Sequence, residues 1–528
     1  MENQKRILSL LIVFVVLFVV VIIRLVDLQI IRHNFYEKIS HEQRTRLINL
    51  AAQRGDILDR NGDLLATSID SYSVYEHRKG WLQRKLALSD AQKYQKEDPK
   101  NLSIIKEKKR VYPKNNLAAQ IIGFVGVDNQ GLSGFEGSCD EFLRGQEGRL
   151  ITESDPRGRE LYGALRELRP GVDGMQITLT IDQNIQYVAE RELERQIKET
   201  RAKSGMCIVM DAQTGELLAL ASKPDFNPNA YSKYDRKLWH PRYLDPFEPG
   251  STFKVITVAA ALEQGAATLK TRLKSMDRIT VGGKVIENSH KIDWLGRTVS
   301  ISEMLEQSIN TCSAQLGLLL GPNHFYNYIK AFGFGQRTDF GLWGESRGIL
   351  RHWKRWYKPD IGMISFGQSI AVTPLQLISA FSVFANQGVL VKPILIKRIE
   401  SNDGKFIKVF AQDKKERVIS AKVADQVKGL MRNVVLKGTG KKAEIENFAV
   451  CGKTGTAQKV APNGRGYMKD RYITSFIGFA PFDNPRVITL VIVDEPRTSI
   501  WAETVCAPVF KEVTEYTLRY FNAKPDML

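Results

Sequence analysis

The chain has 528 residues, 76 of them Lys or Arg against 58 Asp or Glu, which leaves a formal charge of +18 on a composition that is 43% hydrophobic and 25% charged. That composition excludes a disordered chain, a collagen-like one and a disulfide-dense mini-scaffold. At roughly 100–200 residues per domain, the length calls for two to four domains, each large enough for its own core.

The N-terminus carries the first structural signal. From Ile7 to Ile23 only Ser9 interrupts the apolar run, and Lys5 and Arg6 precede it. The run sits at the short end of what a spanning helix needs, and Leu25, Val26 and Leu28 extend it if Arg24 snorkels. No small-x-small cleavage site follows, so the segment reads as an uncleaved anchor rather than a signal peptide. A short basic tail ahead of a first helix stays cytoplasmic as a rule, which puts everything after the anchor across the membrane. The expected order is a cytoplasmic tail at 1–6, a transmembrane anchor at 7–28, a first extracytoplasmic domain at 29–195 and a second at 196–528.

Within the first domain, Arg54 to Leu58 leads to an Asn61-Gly62 turn and then Leu64, Leu65 and Ala66, the pattern of a β-hairpin. From 84 to 110 the chain is rich in Lys, Gln and Glu, including Lys106 to Arg110, and is expected to be an exposed helix and loop. Glycines at 131, 134, 137, 145 and 148 then predict a turn-rich region. In the second domain the spacing of Ile185, Val188, Ala189, Leu193 and Ile197 predicts a helix. Cys207–Met210 and Leu217–Leu220 flank a turn and predict a hairpin. Ile473–Phe479 and Val487–Val493 read as two more strands, followed by a closing helix through Val509, Val513, Tyr516 and Tyr520. Strands at both ends of a mostly helical region imply an α+β fold whose sheet is closed by sequence-distant strands.

Cofactor chemistry finds little support. Cysteines at 139, 207, 312, 451 and 506 form no Cys-x-x-Cys pair, and histidines at 33, 41, 77, 240, 290, 324 and 352 are scattered, so no metal site or disulfide framework is expected and the histidines are read as structural. The positive excess comes with no nucleic-acid motif; a solvated basic surface or an anionic partner outside the membrane accounts for it.

Chemistry begins at Glu248-Pro249-Gly250-Ser251-Thr252-Phe253-Lys254, followed by an apolar helical run. Residues three apart in a helix are neighbours, so Ser251 and Lys254 share a face, and a lysine of lowered pKa can remove the proton that keeps a serine hydroxyl a poor nucleophile. Ser-x-x-Lys alone is weak, and Ser103 with Lys106 is a second copy in the charged stretch with no apolar helix behind it. Ser308-Ile309-Asn310 and Lys453-Thr454-Gly455 change the weight. Their order after Ser251, at intervals of 57 and 145 residues, matches the constellation of penicillin-binding proteins and class A β-lactamases. Gly452-Lys453-Thr454 is not a nucleotide loop, because position 447, where a glycine is required, is Asn.

The chain therefore resembles a class B penicillin-binding protein, a peptidoglycan D,D-transpeptidase, most similar to the division-specific FtsI type. Arg54-Gly55 with Asp59–Gly62, Gly131–Glu136, Phe366-Gly367-Gln368, Val372–Gln376 and Gly438-Thr439-Gly440 are similar to further family signatures. The resemblance implies an elongated pedestal domain and then a penicillin-binding/β-lactamase-like transpeptidase domain, an antiparallel sheet flanked by helices. It implies that Ser251 attacks the D-Ala-D-Ala carbonyl, Lys254 takes its proton, Ser308 and Asn310 relay protons and hold the donor, and Lys453 supplies positive charge. Thr454, Gly455 and Thr456 bind substrate, and the Ser251 and Thr456 N–H groups form the oxyanion hole. A glycine at 455 is read as leaving room for a peptide along the strand. Implied partners are stem peptides and β-lactams, membrane lipid, an FtsW-type glycosyltransferase and other divisome proteins, with no cofactor and no nucleic acid, in the inner membrane with the catalytic domain outside the cytoplasm. A serine β-lactamase, an elongation-type transpeptidase and an idle β-lactam-binding scaffold are the alternatives. Two departures stand out: Ser369 where the family usually has glycine, and Trp501-Ala502-Glu503 where a Gly-Gly pair often precedes Ala507–Phe510.

Overall fold

The structure is a computed structural model that describes residues 2–76, 79–99, 101–153, 167–290, 295–411, 416–461 and 466–526; His77 lies outside them. Residues 1–53 and 145–173 form one compact unit, and 54–144 with 174–528 form a second.

In the first unit Glu2–Val26 is one continuous helix with every side chain exposed, long and apolar enough to cross a membrane. It passes into a π-helical turn at Asp27–Ile31, where Asp27 accepts from Arg24 Nη1 at 2.8 Å and Arg32 Nε at 3.1 Å. This charged clasp at the end of the apolar run gives Arg24 a partner. Strands Thr45–Leu50, Gly148–Glu153 and Glu167–Arg169 make a three-stranded sheet in that order.

The second unit opens on the expected hairpin. Ile57–Leu58 pairs with Leu64–Glu76 around Gly62 at φ +94°. The stretch expected as helix and loop differs: only Leu88–Glu97 is helical, and Leu102–Val111 is a strand paired along Leu64–Glu76. Three of its cations have partners: Lys106 and Lys108 pair with Asp70 on the neighbouring strand, and Arg110 pairs with Glu136. Ser103 and Lys106 lie on this strand and so do not share a helical face.

Glu136 ties two of the quoted motifs together. Fully buried, it accepts from Arg54 Nε and Arg110 Nε, both at 2.6 Å, and from the Tyr112 hydroxyl at 3.3 Å, while Arg54 Nη1 also donates to Asp140 at 2.6 Å. Removing one partner of a buried charge network leaves the others uncompensated. Glu136→Ala is therefore expected to cost about 3–5 kcal/mol, seen as a lowered urea midpoint of the solubilised chain; a wild-type midpoint contradicts this account.

From Gln183 onward the principal helices are α1 (Gln183–Thr200), α2 (Lys254–Glu263), α3 (Ile301–Glu306), α4 (Asn310–Leu320), α5 (Pro374–Ala385), α6 (Ala421–Leu436) and α7 (Ala507–Tyr520). The antiparallel sheet among them has strands β1 (Ser204–Asp211), β2 (Leu217–Lys223), β3 (Cys451–Val460), β4 (Tyr467–Ala480) and β5 (Val487–Asp494) in the order β2-β1-β5-β4-β3. β1 pairs with β5, the closure by distant strands that the pattern predicts. Period-two alternation divides the core: Cys207, Val209 and Val491 pack with Ile185 and Leu193 of α1 and Val509 and Val513 of α7. Met206, Ile208 and Leu490 join the cluster of α2, α5 and α6 instead. With both faces covered, β1 is apolar on both sides rather than alternating with polar residues.

Asp182 caps α1 by accepting from the N–H groups of Asn184 and Ile185, and the helix runs on unbroken to Thr200. Position 195–196, the domain division expected from the sequence, thus lies inside a helix packed on β1 and β2.

Candidate active site

The site forms where the start of α2 meets the edge strand β3. Gly250–Phe253 is a 3₁₀ turn that passes directly into α2, so Ser251 sits half-buried at the helix entrance, and Lys254, its first residue, is fully buried below. Two glycines make this turn possible. A Cβ on Gly367 would stand 2.2 Å from the Gly250 carbonyl oxygen, and one on Gly455 would stand 2.4 Å from Ser475 Oγ and 2.9 Å from Thr252 Cγ2. Gly455 therefore serves the inward packing of β3 against the serine turn; the reading of it as room for a peptide is corrected.

Ser308 links the two lysines. It sits between α3 and α4 at φ +54°, a left-handed conformation that costs a non-glycine residue roughly 1–2 kcal/mol. Lys254 Nζ donates to its carbonyl at 2.5 Å and to its Oγ at 3.2 Å, and Lys453 Nζ donates to the same Oγ at 3.1 Å. Lys453 also donates to the Thr454 carbonyl at 3.0 Å and to Thr454 Oγ1 at 3.2 Å, and the Thr439 and Thr454 hydroxyls are 2.7 Å apart. Burial, reinforced by the charge of Lys453, holds the Lys254 amine well below its ordinary pKa; burial alone brings Lys453 down to about 7. One amine of this pair can thus be neutral while the other carries a proton.

Period two sorts β3. Lys453 is buried, while Thr454 and Thr456 line a cavity of about 280 Å³ with Ser251, Ser308 and Thr439. Asn310 is placed differently. Its Nδ2 donates to the Glu287 carbonyl at 2.9 Å, and it lines an adjoining cavity of about 520 Å³ that shares Ser251 and Thr456. Asn288 fixes this end of α4 by accepting from the N–H groups of Asn310 and Thr311 at 2.9 and 3.1 Å.

Sequence reasoning passed over several groups here. Thr439 lies in a quoted signature but was given no role. His290, read as structural, lines the smaller cavity with Ser289, Trp501 and Glu503; an isolated histidine offers no periodic signal. Glu248 is pushed up to about 7 by burial and accepts from the Ser369 N–H at 2.9 Å. Ser369 itself is at φ +60°, which explains the glycine of the family pattern. Among the described residues no group of three His, Cys, Asp or Glu side chains is placed to hold a metal.

Comparison with known proteins matches the family described as penicillin binding protein transpeptidase domain over residues 205–515, and that described as penicillin-binding protein dimerisation domain over 82–179. The chain belongs to the penicillin-binding transpeptidases. It is 32% identical to stage V sporulation protein D of Bacillus subtilis, across 99% of this chain and 86% of that protein. It is 31% identical to the probable peptidoglycan D,D-transpeptidase PenA of Neisseria meningitidis, across 99% and 94%. The fold matches penicillin binding protein 3 of Mycobacterium tuberculosis, solved with aztreonam, at a TM-score of 0.76 and 27% identity over 90% of this chain and 98% of that one. In this penicillin-binding transpeptidase the Ser-x-x-Lys, Ser-x-Asn and Lys-Thr-Gly segments, far apart in sequence, meet at one place, as their order predicts.

Proposed function

We propose that the chain is a membrane-anchored serine D,D-transpeptidase that cross-links peptidoglycan stem peptides through an acyl-enzyme on Ser251. The observation that carries the reading is the pair of buried amines bridged by Ser308 Oγ beneath the cavity that Ser251 lines. Neutral Lys254 takes the Ser251 proton as Oγ attacks the penultimate D-Ala carbonyl, a contact that tightens when substrate arrives. The Ser251 and Thr456 N–H groups hold the oxyanion, each such donor being worth about 3 kcal/mol in acyl transfer. Ser308 passes the proton to the departing D-Ala, Lys453 with Thr454 and Thr456 receives the terminal carboxylate, and Asn310 holds the donor peptide from the adjoining cavity. β3 is the sheet edge, and an extended peptide laid along it gains main-chain hydrogen bonds. An acceptor amine then attacks the ester, and the proton returns to Ser251 through Lys254.

The proposed organisation is a cytoplasmic tail at 1–6, an anchor at 7–28 in the inner membrane, and a pedestal from 29 followed by a transpeptidase domain to 528 outside the cytoplasm, divided ahead of α1 rather than at 195–196. Work at the division septum beside an FtsW-type glycosyltransferase and other divisome proteins is part of the same reading. Incubating the solubilised full-length chain with a D-Ala-D-Ala pentapeptide and an amine acceptor should give a cross-linked product and free D-Ala by mass spectrometry, both blocked by benzylpenicillin. Penicillin-insensitive release, or none, rejects the reading, and a fusion that fails to gather at midcell rejects the septal part.

A further inference from the structure

The departure at 501–503 brings new groups to the reacting serine. Trp501 and Glu503 line the same cavity as Ser251 and Ser308, and His290 joins them, its ring edge-on to Trp501 at 6.2 Å between centroids. Glu503 has no ion-pair or hydrogen-bond partner among the described residues. On His290, Nδ1 lies 3.3 Å from Ser289 Oγ, and Nε2 has no partner among the described residues. A cavity already holding two buried amines gains, on this wall, a carboxylate, an indole face and an imidazole. None of the three is used by the acylation steps above.

The chemistry that fits this wall is the second half of the transfer. An acceptor amine reaches the site as an ammonium and cannot attack until it loses a proton. A carboxylate and an aromatic face both attract a primary ammonium, and a neutral imidazole can deprotonate it. We propose that Glu503, Trp501 and His290 form the acceptor subsite, in which Glu503 and the Trp501 ring hold the incoming ammonium and His290 takes its proton.

The step balances. The ammonium gives one proton to His290, which later releases it to solvent, and the free amine attacks the Ser251 ester carbonyl. As the C–N bond forms and the C–O bond breaks, the second proton passes through Lys254 to Ser251 Oγ. The titratable groups facing His290 are Glu503 in the same cavity and the amines of Lys254 and Lys453; burial, and after it the positive charge of the lysine pair, holds His290 below its ordinary pKa, which favours the neutral imidazole. The inference rests on the transpeptidase reading and assigns the acceptor half of it.

The test uses the full-length chain in detergent, acylated by a thioester donor and offered two acceptors. D-alaninamide is cationic at neutral pH, and hydroxylamine is uncharged and needs neither capture nor deprotonation. Glu503→Gln should lower kcat/KM for D-alaninamide by about tenfold relative to hydroxylamine, mostly through KM, the size of one charge-assisted hydrogen bond. His290→Gln should lower the same ratio through kcat and remove the rise of D-alaninamide transfer with pH. Equal losses with both acceptors, the mark of a structural defect, or unchanged ratios in both variants overturn the proposal. Wild-type chain that forms no acyl-enzyme overturns the transpeptidase reading itself, and the acceptor subsite with it.

Discussion

Ser251→Ala is expected to abolish the adduct that benzylpenicillin forms on the solubilised chain, lowering the acylation rate by about 10⁶-fold, the size found when a serine nucleophile is deleted from a unit of cooperating groups. Intact mass before and after incubation is the measurement. Two other serines line the cavity, but Ser308 Oγ is held by both lysines and Ser289 lies against His290. Only Ser251 combines half-exposure at a helix entrance with a buried amine three residues on. An adduct of equal yield on the alanine variant assigns the nucleophile elsewhere and removes the basis of the mechanism.

Lys254→Met is expected to slow acylation by about 10⁴-fold, the upper range for loss of a general base. The pH dependence follows from the two amines. Acylation needs Lys254 neutral and Lys453 charged, so the rate rises as Lys254 loses its proton and falls as pH passes about 7, where Lys453 loses its own. Stability follows a separate rule. A lysine whose folded pKa lies below its unfolded value binds fewer protons folded than unfolded between the two, so stability rises with pH across that window. At neutral pH both buried amines therefore weaken the fold, and methionine at 254 should leave the thermal midpoint unchanged or raise it while the rate collapses. A sharply lowered midpoint, or acylation within tenfold of wild type, shows Lys254 to be a packing residue and not the base.

The local signals that could be read without the structure were those with a period or a fixed turn. The Asn61-Gly62 turn and the spacing of Ile185 to Ile197 each act over a few residues, and each forms as expected. Lys106–Arg110 misled because Lys106 and Lys108 pair with Asp70 and Arg110 with Glu136, partners remote in sequence, so a strand carries what composition assigns to solvent. Gly455 misled for a related reason: sequence shows a missing side chain and not what fills its place, here Ser475 and Thr252. Ser251, Lys254, Ser308 and Lys453 were legible through the order of three motifs, whereas His290 and Glu248 owe their character to burial by segments that no local pattern connects to them.

The sheet that carries the hairpin at Ile57 has a consequence for biogenesis. Ile57–Leu58 pairs with Gln176–Leu179, which in turn pairs with Ile396–Glu400, so neighbouring strands come from near the beginning, about a third of the way along and the last third of the chain. Such a sheet cannot be completed segment by segment as the polypeptide emerges, because closing the long intervening loops must precede the contacts that reward it. Most of the chain between Ile57 and Glu400 has to be made before this part of the protein can fold. Until then its unpaired strand edges are exposed, which makes protection of the incomplete chain a requirement set by topology.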